Sequence, residues 1–298
     1  MATPPLRHLR QALAHAAPAA APFGFIFLWS MAFVAVRAGL PDVSPLYFLG
    51  VRFAIATAIL VAIALVFSQN WSTLAGRWHH FVVAGVLINA LYLSAGYLAM
   101  TTITGATLAL LGALHPLVTA LLAGPLLGER FRTVQWLGVA LGMTGVLLVV
   151  GLKLDDFDQR VGIAWGVAAA ACLTAGTLYY SRKCRDVGLV LANAVQLGSA
   201  AVVTLGLAFA FEDIRANWTP TALTTLGFLT VGVSLGGMAL LLYMLKTGTA
   251  GRVSANFYLT PGTTALLGWL ILGETLAPGA IAGLAIASAG VWLVNRAA

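Results

Sequence analysis

Long apolar stretches, broken by short polar segments, return along the chain every 20 to 25 residues. Within each stretch the apolar positions run nearly all the way round a helical wheel, leaving no polar stripe. Ten of them reach the roughly 20 residues that a helix needs to cross the hydrocarbon core of a bilayer. They lie near residues 20–40, 45–67, 79–100, 103–126, 133–152, 161–181, 190–211, 221–243, 249–272 and 278–295. A membrane β-barrel would alternate apolar and polar positions, which these continuous runs do not. The pattern predicts an all-α polytopic membrane protein with ten transmembrane helices.

A second regularity lies on top of the first. Pro116 returns as Pro261, and Leu127-Gly128-Glu129 returns as Leu272-Gly273-Glu274, each 145 residues later. Without a gap, residues 104–149 and 249–294 share 16 identities in 46 positions, among them Thr104/Thr249, Thr119/Thr264, Gly138/Gly283 and Gly145/Gly290. Apolar composition produces some chance matches, but not shared Pro, Glu and Gly in one register. The period is far too long for a solenoid or a propeller. The chain therefore divides into a tail, 1–19, and two five-helix repeats, 20–152 and 161–295. Five is odd, so the second repeat must enter the membrane from the opposite side. Inverted repeats of this kind enclose a central cavity and rock about it to give alternating access.

Composition agrees: 60% of residues are hydrophobic, 8% are charged, and the mean hydropathy is +0.95. The tail carries Arg7, His8, Arg10 and His15 ahead of an apolar run too long for a signal-peptide core. We read that run as a retained first span and the tail as a mobile cytoplasmic extension. Basic residues in short loops are held on the cytoplasmic side. With the N-terminus inside, that side collects Arg7, Arg10, Arg77, Arg130, Arg132, Arg182, Lys183, Arg185, Lys246, Arg252 and Arg296, against Arg37, Lys153, Arg160 and Arg215 outside. Arg52 falls within the second span, nearer its outer end. The expected location is the inner membrane of the cell, with both termini cytoplasmic. The net charge of +7 requires no nucleic-acid partner, because the cations are spread over a surface that anionic membrane lipids attract.

The segment Phe27-Leu28-Trp29-Ser30-Met31-Ala32-Phe33-Val34-Ala35-Val36-Arg37 and the blocks His115-Pro116 to Glu129-Arg130 and Thr260-Pro261 to Glu274 resemble the drug/metabolite transporter superfamily. Within it the chain is most similar to the EamA type, and to the aromatic amino-acid exporters of the YddG type. The resemblance spans nearly the whole chain. It implies a cavity lined chiefly by spans 1, 3, 4, 6, 8 and 9 and outward movement of a small metabolite.

Polar groups within the membrane are costly and mark candidate sites. His115 lies midway along span 4, directly before Pro116; its counterpart is Thr260, and one turn earlier Leu111 corresponds to Asn256. Asn89 and Tyr92, three apart, share a face of span 3, which also carries Tyr97. Trp29 and Ser30 in span 1, Trp165 and Thr174 in span 6 and Tyr243 in span 8 complete the substrate-binding candidates. Pro116 and Pro261 remove a helix donor at matching places and kink spans 4 and 9, statically or as part of the transport cycle. Glu129 and Glu274 follow Leu-Gly at span ends, where they can cap spans 5 and 10. The pairs Gly138/Gly142, Gly232/Gly236 and Gly279/Gly283 permit close helix approach, within a monomer or across a homodimer.

No Asp or Glu lies mid-span, which disfavours proton-coupled export of quaternary cations, and no cluster of Lys or Arg lies there to hold phosphate-bearing cargo. Aromatic walls, neutral polar groups and one imidazole suit neutral or zwitterionic solutes, aromatic or other hydrophobic amino acids above all, with drugs as a further class. Facilitated diffusion is the simplest energetics, since His115 has no second acid with which to form a proton relay. The alternatives are a proton-coupled drug/metabolite antiporter and a lipid flippase, with a membrane-embedded enzyme or sensor the remotest. No phosphate-binding glycine loop, zinc spacing or Ser-His-Asp group is present, so neither a catalytic residue nor a metal or cofactor is expected.

Overall fold

The computed structural model describes residues 4–115, 118, 133–151, 156–184, 188–237, 240, 244, 259–275 and 278–296. Among the sequence candidates, Pro116, Glu129, Tyr243 and Asn256 lie outside the described residues. The described chain is all-α, and strand pairing in it is limited to a single bridge between Val43 and Ala216. Besides a short 3-10 turn at Trp71–Leu74, it holds ten longer helical segments: α1 (Pro4–Gly39), α2 (Pro45–Val66), α3 (Trp78–Ala99), α4 (Gly105–Gly112), α5 (Thr133–Gly151), α6 (Phe157–Lys183), α7 (Leu189–Phe211), α8 (Pro220–Gly227), α9 (Thr260–Leu272) and α10 (Pro278–Arg296). Five stretches are long and apolar enough to cross a membrane: Ala20–Gly39 of α1, α2, α3, Phe157–Tyr180 of α6, and α7. Shorter apolar helices occupy Thr133–Leu148, Thr260–Leu272 and Pro278–Gly290. The first helix starts at Pro4, well ahead of the expected span, in a tail rich in the strong helix former alanine.

Local chemistry sets the ends. Thr104 accepts from the Thr107 amide at the start of α4, and Thr219 accepts from Ala222 N–H ahead of Pro220 in α8. Asp156 accepts from Asp158 N–H, so α6 begins at Phe157, four residues before its apolar run, and Arg182 and Lys183 complement the dipole at its other end. Gly273 closes α9 at φ 66°, a left-handed conformation that glycine adopts without strain. Pro261 sits in the first turn of the described α9.

The helices pack in pairs: α5 on α10, α2 on α7, α4 on α9, α1 on α8 and α9, and α6 on α3 and α4. The α5–α10 contact is backbone on backbone. A Cβ at Gly145 would lie 2.6 Å from Gly283 O, and one at Gly290 would lie 2.6 Å from Gly138 O. The core between the pairs holds Phe48, Phe53, Tyr97, Leu110 and Leu229. Large apolar side chains such as Trp136, Leu147, Val202, Phe209 and Leu270 are exposed on the outside, as contact with hydrocarbon requires.

Two helices are wound irregularly. Residues Val86–Leu91 within α3 form a π-helical stretch, and α8 passes directly into another at Phe228–Gly237. An extra residue per turn leaves side chains there off the regular α-helical faces, a distortion that recurs at functional sites.

One end of the molecule is stitched by polar contacts. The Glu212 carboxylate accepts from the amides of Leu46 (2.8 Å) and Tyr47 (3.0 Å), capping α2. Ser44 Oγ donates to Asp213 O at 3.1 Å and accepts from Arg215 N–H at 2.8 Å, while Thr219 donates to the Asp42 carboxylate. Arg37 donates to Met100 O and pairs with Glu274 at 3.5 Å. Glu274, expected from the sequence to cap span 10, joins α1 to the segment after α9.

Candidate functional site

Between the helices lies a cavity of about 800 Å³. It reaches Gly188 and Leu189 at the start of α7 and runs as far as Val36 and Met100 near the stitched end. Along α3 it extends from Ile88 to Met100, roughly 18 Å at 1.5 Å per residue, more than half the thickness of a hydrocarbon core. Trp29, Phe33 and Phe53 form aromatic wall, and Leu93, Leu108 and Leu197 form aliphatic wall. The polar part is small. Asn89, Tyr92 and Tyr97 come from α3, Tyr180 from α6, Asn193 and Gln196 from α7, and Ser234 from the π-helical stretch after α8. The side-chain amides of Asn89 and Asn193 make no hydrogen bond to the described protein, so both are available to a guest.

Arg52 is the sole charged residue among the described lining residues. It sits in α2, 6% exposed. Its Nε donates to Ser234 Oγ at 3.1 Å and its Nη1 to the Tyr97 hydroxyl at 3.0 Å, so it ties α2 to α3 and to the stretch after α8. The π-helical stretches contribute Ile88 and Asn89 on one side and Val233 and Ser234 on the other.

The cavity brings together four sequence candidates, Trp29, Asn89, Tyr92 and Tyr97. The other described candidates lie outside its lining. Ser30 is buried and donates to Thr260 O at 3.4 Å, joining α1 to α9. His115 Nδ1 lies 3.0 Å from Thr174 Oγ1. The Thr174 hydroxyl donates to Ala170 O, so it accepts from the imidazole and links the chain after α4 to α6. Leu111 belongs to the core, the Thr260 side chain is buried, and Trp165 is 42% exposed on the outer surface. Helices α2 and α7 contribute to the wall, unlike the expected set of spans, and the described residues of α9 do not. Asn193 and Gln196, three apart in an otherwise apolar span, carry the signal that would have found α7. Ser234 had no comparable signal.

The profile of the EamA-like transporter family matches this chain twice, over residues 20–151 and 160–296. The chain belongs to the EamA-like transporter family. It is 24% identical to the uncharacterized inner membrane transporter YedA of Escherichia coli (strain K12), over 85% of this chain and 82% of that one. It is 29% identical to a probable terminal-alkyne amino-acid exporter of Streptantibioticus cattleyicolor, over 64% of each chain. A solved crystal structure superposes with a TM-score of 0.67 at 20% identity, covering 94% of this chain and 97% of that one, which establishes a shared fold. The protein is thus a membrane-spanning transporter, with a small-molecule substrate and a lipid environment implied by its family.

Proposed function

We propose that this EamA-like transporter exports small neutral or zwitterionic solutes with a hydrophobic side chain, aromatic amino acids first among them, by alternating access and without a coupling ion. The observation that carries the reading is the cavity itself. Its walls are aromatic and aliphatic, and its polar groups are confined to amides, hydroxyls and one guanidinium. A guest with a polar head and an apolar side chain matches that division. The similarity to a probable amino-acid exporter points the same way.

Alternating access rests on inverted five-helix repeats. Exchanging α1–α5 with α6–α10 in order maps the pairs α5–α10, α2–α7 and α4–α9 onto themselves, and maps α1–α8 onto α6–α3 and α1–α9 onto α6–α4. The π-helical stretches of α3 and α8 also correspond at the 145-residue offset, since Val86 falls on Val231. The basic loops favour cytoplasmic termini.

The test is uptake of labelled Phe, Trp, Met, Thr and Lys by proteoliposomes of purified protein, with and without an imposed pH gradient. Saturable Phe or Trp flux, little Lys flux and indifference to the pH gradient are expected. Folded protein that moves none of the five rules out the amino-acid assignment, and flux that collapses when the proton gradient alone is removed rules out facilitated diffusion.

A further inference from the structure

We infer that Arg52 is the carboxylate anchor of the cavity, so that the transported solute must carry a single anionic carboxylate beside its hydrophobic group. The inference rests on the transport reading above and narrows its substrate class. A charged side chain in a membrane interior is costly and is ordinarily paired with an opposite charge. Arg52 is held by neutral oxygens alone, those of Tyr97 and Ser234, and no Asp or Glu stands among the described residues lining the cavity. Of the five N–H donors of a guanidinium, these two bonds use one on Nε and one on Nη1. Three remain, on adjacent nitrogens, in the fork that suits a two-oxygen acceptor.

The partners fix the side chain without neutralising it. That is the arrangement expected of a site whose counter-charge arrives with its guest. A phosphate ester, with its second charge, would call for a second cation, and the described lining offers none. A monoanionic carboxylate matches one guanidinium. An ammonium group on the same guest would find acceptor oxygens in the free amides of Asn89 and Asn193. The apolar body would lie against Trp29, Phe33 and Leu197.

The deciding experiment is thermal-shift titration of detergent-purified protein with two matched pairs: 3-phenylpropionate against 3-phenylpropionamide, and phenylalanine against phenylalaninamide. In the wild type each carboxylate should half-saturate at a concentration at least about tenfold below that of its amide. Arg52→Gln should abolish the difference by weakening the acids to the level of the amides, and Arg52→Lys should restore part of it. Should Arg52→Gln fail to fold, the wild-type pairs and Arg52→Lys still decide. Amides that match their acids in the wild type, or no carboxylate-dependent stabilisation across the set, overturn the anchor. Carboxylate-selective stabilisation without Phe flux keeps the anchor and discards the amino-acid reading. Phe flux equalled by phenylalaninamide flux keeps transport and discards the anchor.

Discussion

The Arg52–Tyr97 bond places a hydroxyl where it both orients a buried cation and lines the cavity. Hydrogen bonds between membrane helices contribute modestly, and bonds to a charged group stand at the upper end of the range. Tyr97→Phe keeps the ring in the core and removes only the acceptor. It should lower stability by about 1–2 kcal/mol, measurable as reduced thermal stability in detergent, and leave the protein folded. An unchanged melting temperature would mean that the tyrosine packs without holding the arginine. At this scale the sequence discloses residue types but not the direction they face. Trp29, Asn89, Tyr92 and Tyr97 stand out as polar or aromatic groups in apolar spans, and the cavity holds them. His115 and Thr174 stand out for the same reason, yet they bond to each other away from it, because a buried polar group is satisfied as well by a neighbouring helix as by a guest. Arg52 is conspicuous in the sequence, but that it meets Tyr97 and Ser234 depends on three helices coming together.

Among the elements, the glycine seam of α5 and α10 bears the most stringent constraint. Gly145 and Gly290 let backbones approach to distances at which a Cβ collides with backbone atoms, which cannot move aside as a side-chain tip can. Gly145→Leu should therefore separate α5 from α10 and destabilise the protein by about 3 kcal/mol or more, seen as aggregation on size-exclusion chromatography or loss of expression. Full retention of monodisperse protein would show that the seam can open without cost. This seam is legible in advance, because recurrent glycines at the repeat offset have few other uses in a membrane helix. The helices themselves are legible too, since contact with lipid on the outside and apolar packing on the inside both demand the same continuous hydrophobicity. The π-helical stretches are not. Val86–Leu91 reads as ordinary apolar helix, and the visible irregularities, Pro116 and Pro261, direct attention to spans 4 and 9 instead of α3 and α8. A π-turn is a choice of register between hydrogen-bonding patterns of nearly equal energy, and no residue type announces it.

For the molecule as a whole, the described residues tie one end of the cavity with a network of polar contacts. Toward Val36 and Met100 the Arg37–Glu274 pair, the Arg37–Met100 bond and the Asp42, Ser44 and Glu212 contacts bind the helix ends together. Toward Gly188 and Leu189 the cavity reaches the loop between α6 and α7. On the proposed orientation, with both termini cytoplasmic, the stitched end faces outward, and it is predicted to be the closed end of the cavity. A thiol placed on the wall tests this. Ala32 lines the cavity and is small enough for Ala32→Cys to disturb little. Cys172 would be replaced by Ala; Cys184 can stay, because it is buried, donates to His80 O at 3.6 Å, and burial pushes its thiol up, away from the reactive thiolate. A membrane-impermeant maleimide should label Ala32→Cys from the cytoplasmic face of inverted vesicles and scarcely from the outer face of intact cells. Glu274→Gln should weaken the Arg37–Glu274 pair, which on this proposal helps to hold the outer end shut. A loss of about 1 kcal/mol there moves a two-state equilibrium by a factor of about five, so labelling from outside should rise by that order while labelling from inside falls less than twofold. Labelling confined to the outer face in the parent would reverse the assigned orientation. An unaltered outer-face rate in Glu274→Gln would mean that Arg37 and Glu274 pair without gating, and that the Arg37–Met100 bond with the contacts of Asp42, Ser44 and Glu212 suffices to hold that end closed.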